Sequence, residues 1–218
     1  MNTEIVKASV LFRDMNDEEF QKAFEIFEAK AVEYKKGDLL HHQYSEMKCF
    51  GLVLSGTVQI CVDDIDGNRM IMAEAVPGVT FGESLCYLEI KDSPVYIYAT
   101  ENSEVLWLSV KNLYADGSDG FLTELQKRFT SMLAARTLKM NDRIQVLSKI
   151  KIRDKLMTYF SQLSQSCGSK TFQIPVNRDD LATYIGTNRS ALSRELSNMK
   201  NDGIIDYYKN TVKLLNKE

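Results

Sequence analysis

The stretch that decides the fold runs from residue 177 to residue 196 and reads NRDDLATYIGTNRSALSREL. Asn177 is a good helix N-cap, and the acidic residues after it place negative charge in the first turn, where the helix dipole favours it. Gly186 breaks this helix, and a second helix starts after Thr187. The sequence therefore predicts two short helices joined by a glycine turn.

The second helix divides by angle into two sides. Leu192, Leu196 and Met199 recur at i, i+4 and i+7 and should face a core, while arginines and serines occupy the opposite side. Arginine and serine can bond to base edges and phosphates, so this pattern predicts a helix-turn-helix whose second helix, residues 188–200, enters the major groove. The expected DNA-binding residues are Arg178, Thr187, Asn188, Arg189, Ser190, Ser193, Arg194 and Ser197.

Two short runs, 204–208 and 211–215, follow this motif and are joined by a polar Lys-Asn pair, which predicts a β-hairpin. Together with TFQIP at 171–175, the hairpin makes the motif a winged helix-turn-helix. The alternative is a helical hairpin with surface arginines, and the wing counts against it.

The net charge of −3 hides two halves of opposite sign. Residues 1–126 hold 10 Lys and Arg against 22 Asp and Glu, whereas residues 127–218 hold 17 against 8. The basic half would attract nucleic acid and the acidic half would repel it. A solvated helix face is the alternative explanation for the basic run 127–155.

The N-terminal half has a different period. An amphipathic helix with Asn16 as N-cap precedes short apolar runs at 50–62, 69–76, 95–100 and 104–110, which predict a small antiparallel barrel or jelly roll. DIDGN, between the first two runs, predicts a hairpin turn in which Gly67 takes a positive φ. The expected fold class is α+β, with an N-terminal β-roll, a long helix and a C-terminal winged helix-turn-helix domain.

A long helix is predicted from Phe121 to about Ser148, because this segment has helical spacing of apolar residues and no internal Gly or Pro. Such a helix is too long for a small barrel to cover alone. Its apolar seam could pack on its own barrel or pair with the same helix of a second subunit, and the length favours the second arrangement, a homodimer. We expect a β-roll domain over 1–120, the dimerisation helix over 121–147 and the DNA-binding domain over 148–218.

The sequence gives little support to other classes of function. His41 and His42 are adjacent in a probable strand, so they point to opposite faces and cannot together hold one metal in the usual way. No catalytic residue, metal ligand or cofactor is nominated, and we expect a protein that is not an enzyme. A metal-dependent cupin-like enzyme and a heme-based gas sensor remain the alternatives. The spacing of the four cysteines, the N-terminus and the lack of a long apolar run predict reduced thiols and a cytoplasmic protein with no membrane partner.

The whole chain resembles the Crp/Fnr family of bacterial transcription regulators. The segments YKKGDLLHHQYSE (34–46), LVLSGTVQI (52–60) and PGVTFGES (77–84) match the spaced glycines of the family's cyclic-nucleotide-binding-type β-roll, and residues 177–196 match its helix-turn-helix. The resemblance implies a homodimer on a near-palindromic double-stranded DNA operator, with RNA polymerase as a candidate partner. It places Arg189, Ser193 and Arg194 at the positions that face base edges.

The departures from the family pattern concern what the protein senses and which bases it reads. Ser93 and Pro94 stand where cyclic-AMP receptors carry the Arg-Ser pair that holds the cyclic phosphate, and residues 1–48 contain no cysteine for an iron–sulfur cluster. Ser190 stands where many members carry a glutamate that reads cytosine. The resemblance thus implies an unknown small-molecule effector, neither cyclic AMP nor a cluster. The expected effector-binding residues are Gly82, Glu83, Ser84, Cys86, Tyr87, Tyr96 and Tyr98.

Overall fold

The structure is a computed structural model and describes residues 3–114 and 120–215. It begins with two helices, α1 (Thr3–Ala8) and α2 (Asp17–Ile26). The predicted N-cap of α2 is confirmed: the Asn16 side chain accepts a hydrogen bond from the Glu19 N–H at 2.9 Å, and the Asn16 N–H donates to the Glu19 carboxylate at 3.0 Å. This reciprocal pair is a capping box, which satisfies two backbone N–H groups that have no acceptor within the helix.

Two antiparallel four-stranded sheets, in the orders β1-β8-β3-β6 and β2-β7-β4-β5, form the predicted β-roll. A short helix, α3 (Glu83–Tyr87), leaves the roll after β6. The roll encloses a core that includes Phe50, Leu52, Ile97 and Leu106, all fully buried. The strands are β1 (Lys30–Tyr34), β2 (Leu39–His41), β3 (Cys49–Ser55), β4 (Val58–Asp63), β5 (Arg69–Ala75), β6 (Thr80–Phe81), β7 (Tyr96–Ala99) and β8 (Ser103–Ser109).

Gly56 divides the apolar run 50–62 into two strands that belong to different sheets. Its φ is +75°, and a Cβ at this position would come within 2.3 Å of the Ser103 Oγ. Only glycine fits both the backbone conformation and the space. The turn between β4 and β5 contains Gly67 with φ +79°, which confirms the predicted hairpin.

The long helix, α4 (Gly120–Leu147), contributes to both compact units of the chain, which divide between Ala134 and Ala135. Its first half places Phe129 and the leucines before it in the core of the β-roll unit, whereas Val146 lies in the second core. The division into two compact units therefore falls inside the helix, and the domain boundary near residue 147 stays a prediction. Packing accounts for this division, because Leu122, Leu125 and Phe129 lie in the first core and Val146 lies in the second.

The second unit is the predicted winged helix-turn-helix. Its three-stranded antiparallel sheet has the order β10-β11-β9, and its core includes Phe160, Leu181 and Leu192. Gly168 ends the first helix of this unit in the left-handed conformation, with φ +62°. The elements are α5 (Ile152–Cys167), β9 (Thr171–Gln173), α6 (Arg178–Ile185), α7 (Arg189–Asn201), β10 (Ile205–Tyr208) and β11 (Thr211–Leu214).

Candidate nucleic-acid interface

Side-chain caps fix both ends of the turn between α6 and α7. The Asn177 side chain accepts hydrogen bonds from the N–H groups of Asp179 and Asp180, each at 2.9 Å. Gly186 ends α6 with φ +67°, and the Asn188 side chain then accepts from the Ala191 N–H at 2.8 Å to start α7. These caps satisfy the exposed N–H groups of each helix and set the angle at which α7 leaves the turn.

The two sides of α7 are those that its periodicity predicts. Leu192, Leu196 and Met199 are buried in the second core. The opposite side projects into solvent. Its exposed side chains are Arg189, Ser190, Ser193, Arg194 and Ser197.

The polar side chains of α7 that are predicted to bind DNA differ in whether they already have partners within the protein. Asn188 serves as the cap and also accepts from the Ser190 hydroxyl at 2.7 Å, and the Ser197 hydroxyl donates back to the Ser193 carbonyl at 3.1 Å. The Arg189 guanidinium pairs with Asp179 at 2.9 Å, an exposed ion pair that a ligand can replace at little cost. Within the part of the chain that the structure describes, Arg194 has neither a hydrogen bond nor an ion pair.

Arg178 is held in the wing instead of projecting outward. Its Nη2 donates to the Lys209 carbonyl at 2.6 Å, and its guanidinium lies 5.4 Å from the centre of the Tyr207 ring. Burial lowers the pKa of this side chain, partly offset by the neighbouring Tyr207. The predicted DNA-binding residue therefore ties the start of α6 to the β10–β11 hairpin. Thr187, the last residue of the turn, is half-buried.

Sequence reasoning missed the contacts that anchor α7 to α5. The Arg153 Nε bonds to the Glu195 carboxylate at 2.6 Å and its Nη1 to the Asp202 carboxylate at 2.7 Å, so one guanidinium holds the middle and the end of α7. Lys155 donates to the Ile185 carbonyl at 3.0 Å, which satisfies the C-terminal end of α6. The acidic residues on the flank of α7, in an otherwise basic helix, are the signal that could have revealed this anchor.

The expected effector-binding residues lie at three places in the β-roll. Cys86 and Tyr87 line a cavity of about 780 Å³ that Met47 and Tyr114 also border. Burial is the main reason that the pKa of the Cys86 thiol rises to about 11. Ser84 is exposed on α3.

The two tyrosines of the expected effector set lie elsewhere. Tyr96 and Tyr98 line a second cavity of about 640 Å³. Their neighbours Ile97 and Ala99 are buried. Because side chains alternate along a strand, the tyrosines face outward from the roll. The structure thus separates Tyr96 and Tyr98 from Cys86 and Tyr87.

The turn at Gly82 and Glu83 is crowded. A Cβ on Gly82, which has φ +80°, would meet the Met47 Sδ at 2.2 Å. The Glu83 carboxylate is buried and accepts a hydrogen bond from the Thr80 hydroxyl. Ser93 is also buried, and its hydroxyl accepts from the Val95 N–H at 3.3 Å.

No group of three His, Cys, Asp or Glu residues that could hold a metal occurs among the described residues. His41 is buried and His42 exposed, so the two imidazoles point to opposite faces as predicted. All four cysteines are free thiols. In the described ranges, no helix has both the length and the apolar character needed to cross a membrane.

Together, the β-roll, the long helix and the winged helix-turn-helix define the class of DNA-binding transcription regulators. Comparison with known proteins agrees. Residues 31–115 match the model of the cyclic nucleotide-binding domain, and residues 154–218 match that of the Crp-like helix-turn-helix domain. The chain belongs to the Crp/Fnr family of transcription regulators, and this membership does not favour the cupin-like enzyme or the heme-based gas sensor.

The similar proteins are regulators of that family. The chain is 25% identical over 209 residues to the cyclic AMP receptor protein of Thermus thermophilus, covering 96% of this chain and 94% of the relative. It is 22% identical over 197 residues to the electron transport regulator A of Shewanella oneidensis, covering 88% and 77%. The crystal structure of the Thermus thermophilus catabolite activator protein has the same fold, with a TM-score of 0.52 and 24% identity over 94% of this chain and 93% of that one.

Proposed function

We propose that the protein works as a homodimer that binds a near-palindromic DNA operator through α7, under the control of a small molecule bound by the β-roll. The observation that carries the proposal is the division of α7 into a buried apolar side and an exposed side of arginine and serine. A helix anchored in this way can insert its polar side into the major groove without unfolding its core. RNA polymerase remains a candidate partner.

Arg194 is the side chain we expect to read a base. Its guanidinium is exposed and needs to give up no ion pair with a described residue in order to bind. A bidentate contact from arginine to guanine distinguishes the correct base by about 1–3 kcal/mol. Arg189 must first leave Asp179, and Arg178 would have to leave the wing. We therefore assign Arg189 to a weaker contact and Arg178 to wing support.

The experiment starts by selecting an operator from a random DNA library with the native protein. Affinity for this operator should fall steeply as salt rises, because lysine and arginine contacts release counterions. Arg194→Ala should weaken operator binding by about 1–3 kcal/mol and affect scrambled DNA much less. Arg13→Ala, which removes an exposed arginine from the β-roll unit, is the control and should bind normally. An equal loss on both DNAs would show that Arg194 contacts only phosphate, and failure to select any DNA would overturn the proposal.

The homodimer is supported by the second half of α4. Met140, Ile144 and Leu147 recur at i, i+4 and i+7 and are 60%, 59% and 40% exposed. Large apolar side chains in solvent on one helical stripe are typical of an interface, and burying each one fully would contribute about 1.5–3 kcal/mol. A second copy of α4 carries the same stripe and can cover it with twofold symmetry.

Sedimentation measures the oligomeric state directly. The native protein should sediment as a dimer, and Ile144→Glu should shift it toward monomer because the substitution would bury a carboxylate in the interface. Glu124→Gln, on the exposed side of the first half of α4, is a control that should leave the dimer intact. A native protein that stays monomeric at tens of micromolar, a concentration at which dimers of about micromolar affinity form, would overturn this part of the proposal.

The effector is expected to differ from a cyclic nucleotide. A cyclic phosphate needs a cation, and the position that carries it in cyclic-AMP receptors holds Ser93, which is uncharged. Burying the phosphate without a cation would cost several kcal/mol. The Met47 thioether also stands against the Gly82 turn. Cyclic AMP at about 1 mM should therefore neither bind in a calorimeter nor change operator affinity, and a micromolar dissociation constant would refute this expectation.

A further inference from the structure

The cavity on the outer face of the β2-β7-β4-β5 sheet contains a charged side-chain cluster that has no part in the proposed DNA contact. The cluster consists of Asp63 and Arg69, which are register partners across β4 and β5, and of Tyr96 and Tyr98 on β7. Gln43 borders the same cavity of about 640 Å³. The cavity lies on the opposite side of β7 from the buried core residue Ile97. It is therefore separate from the interior of the roll.

Arg69 is fixed in place by the two tyrosines. Its Nε donates to the Tyr96 hydroxyl at 3.0 Å, and its guanidinium lies 4.5 Å from the centre of the Tyr98 ring. The hydrogen bond from Arg69 to Tyr96 is the main cause that raises the pKa of the guanidinium. Since Nε serves Tyr96, a ligand would meet the edge formed by Nη1 and Nη2, which also interacts with Tyr98. Two parallel N–H donors on this edge have the geometry that binds carboxylate oxygens.

Asp63 is held on the other side of the Tyr96 hydroxyl. One carboxylate oxygen accepts from Tyr96 at 2.8 Å, and the other accepts from the Gln43 amide at 2.9 Å. The hydroxyl thus stands between the carboxylate and Arg69. Neither charge forms an ion pair with any residue in the ranges 3–114 and 120–215. The cavity therefore presents a fixed cation and a fixed anion that are neighbours but are separated by the Tyr96 hydroxyl.

We propose that this cavity binds a small zwitterion with adjacent carboxylate and ammonium groups, the chemistry of a free α-amino acid. The carboxylate would accept from the Nη1 and Nη2 groups of Arg69, and the ammonium would donate to the remaining lone pairs of Asp63. A simple anion fits less well, because Asp63, Asp64 and Asp66 place negative charge at the turn between β4 and β5, and this charge would repel an anion. A zwitterion satisfies both fixed charges. The proposal does not depend on DNA binding.

The test uses an equimolar mixture of the common L-amino acids and saturation-transfer NMR on the full chain. Binding is expected at about 1 mM of each, the range that fits two charged hydrogen-bonded contacts of about 1.5–3 kcal/mol each. Two matched mixtures remove one charge at a time: N-acetylated amino acids lack the ammonium, and amino-acid amides lack the carboxylate. Each should lose at least about tenfold in signal, because one charged hydrogen-bonded contact is gone.

Two variants test the two charges. Arg69→Gln and Asp63→Asn should each weaken binding of the native mixture about tenfold or more, whereas Arg13→Gln, an exposed arginine outside the cavity, should bind as the native chain does. Near-UV circular dichroism verifies that each variant folds, and if Arg69→Gln does not, Asp63→Asn and the two matched mixtures on the native chain decide. Absence of binding to the native chain would overturn the proposal. Equal binding of the acetylated mixture, or binding unchanged in both folded variants, would overturn it as well.

Discussion

The division of α7 into two sides makes a quantitative prediction for neighbouring residues. Leu192 is fully buried in the second core, whereas Ser193 is exposed on the outward side. Leu192→Ala should therefore destabilise the DNA-binding unit, and Ser193→Ala should leave its stability within about 0.5 kcal/mol. Ser193→Ala can still weaken DNA binding, because a hydroxyl that faces the groove is lost.

The size of the effect follows from the packing around Leu192. Leucine-to-alanine changes in cores cost about 2.7–5 kcal/mol, with larger values where the cavity cannot collapse. Leu192 has no exposed surface in the second core, and we expect a value inside this range, about 3 kcal/mol. For a unit of this size, 1 kcal/mol corresponds to about 4–8 °C, and the melting temperature of the unit should therefore fall by about 12–24 °C.

The assay uses the position of the single tryptophan. Trp107 lies in β8 of the first unit, so its fluorescence follows the unfolding of the roll, while far-UV circular dichroism reports the helices of both units. Leu192→Ala should move part of the dichroism transition and leave the Trp107 transition in place. A Ser193→Ala variant that loses more than about 1 kcal/mol, or a Leu192→Ala variant with an unchanged melt, would refute the assignment of inward and outward sides.

Three further predictions concern the stability of the β-roll and the reactivity of the thiols. Gly56→Ala should destabilise the β-roll by about 2 kcal/mol or more, seen as an earlier Trp107 transition in urea, since a Cβ has neither the backbone conformation nor the space it needs. Burial lowers the pKa of His41 below its ordinary 6.5, so stability should be fully present above about pH 6.5 and decline as pH falls below it; a His41→Phe variant with the same decline would contradict this. A thiol reagent at pH 8 should label the exposed Cys167 quickly and the buried Cys86, with a pKa of about 11, only after unfolding.

Local signals made the helices and their caps predictable. Asn16 and Asn177 are followed by the residues that a helix start needs, and both act as caps in the structure. The faces of α7 follow from helical spacing alone, because a core must cover the leucines wherever the rest of the chain lies. Alternation along β7 is a further local signal: Tyr96 and Tyr98 flank the apolar Ile97, and this spacing places the tyrosines on the opposite face.

The contacts of individual arginines could not be predicted from such local signals. Arg178 and Arg194 are both basic residues of the same motif, and nothing in the local sequence separates them. Arg178 is captured by the carbonyl of Lys209, which is 31 residues away in the chain, and Arg194 meets no such partner among the described residues. A contact between distant segments depends on where the β10–β11 hairpin lies relative to α6. The helical spacing of residues carries no information about that position.

The long helix shows the same limit for apolar residues. Leu125 and Phe129 in its first half and Ile144 and Leu147 in its second half obey one spacing, yet the first pair is fully buried and the second is exposed. The spacing of apolar residues indicates that an apolar stripe must be covered, but it does not indicate which surface covers it. The roll covers the first part within one chain, so the second part requires a partner or remains in water at a cost in free energy. An exposed stripe that continues a buried one is therefore better evidence for self-association than the spacing of the sequence alone.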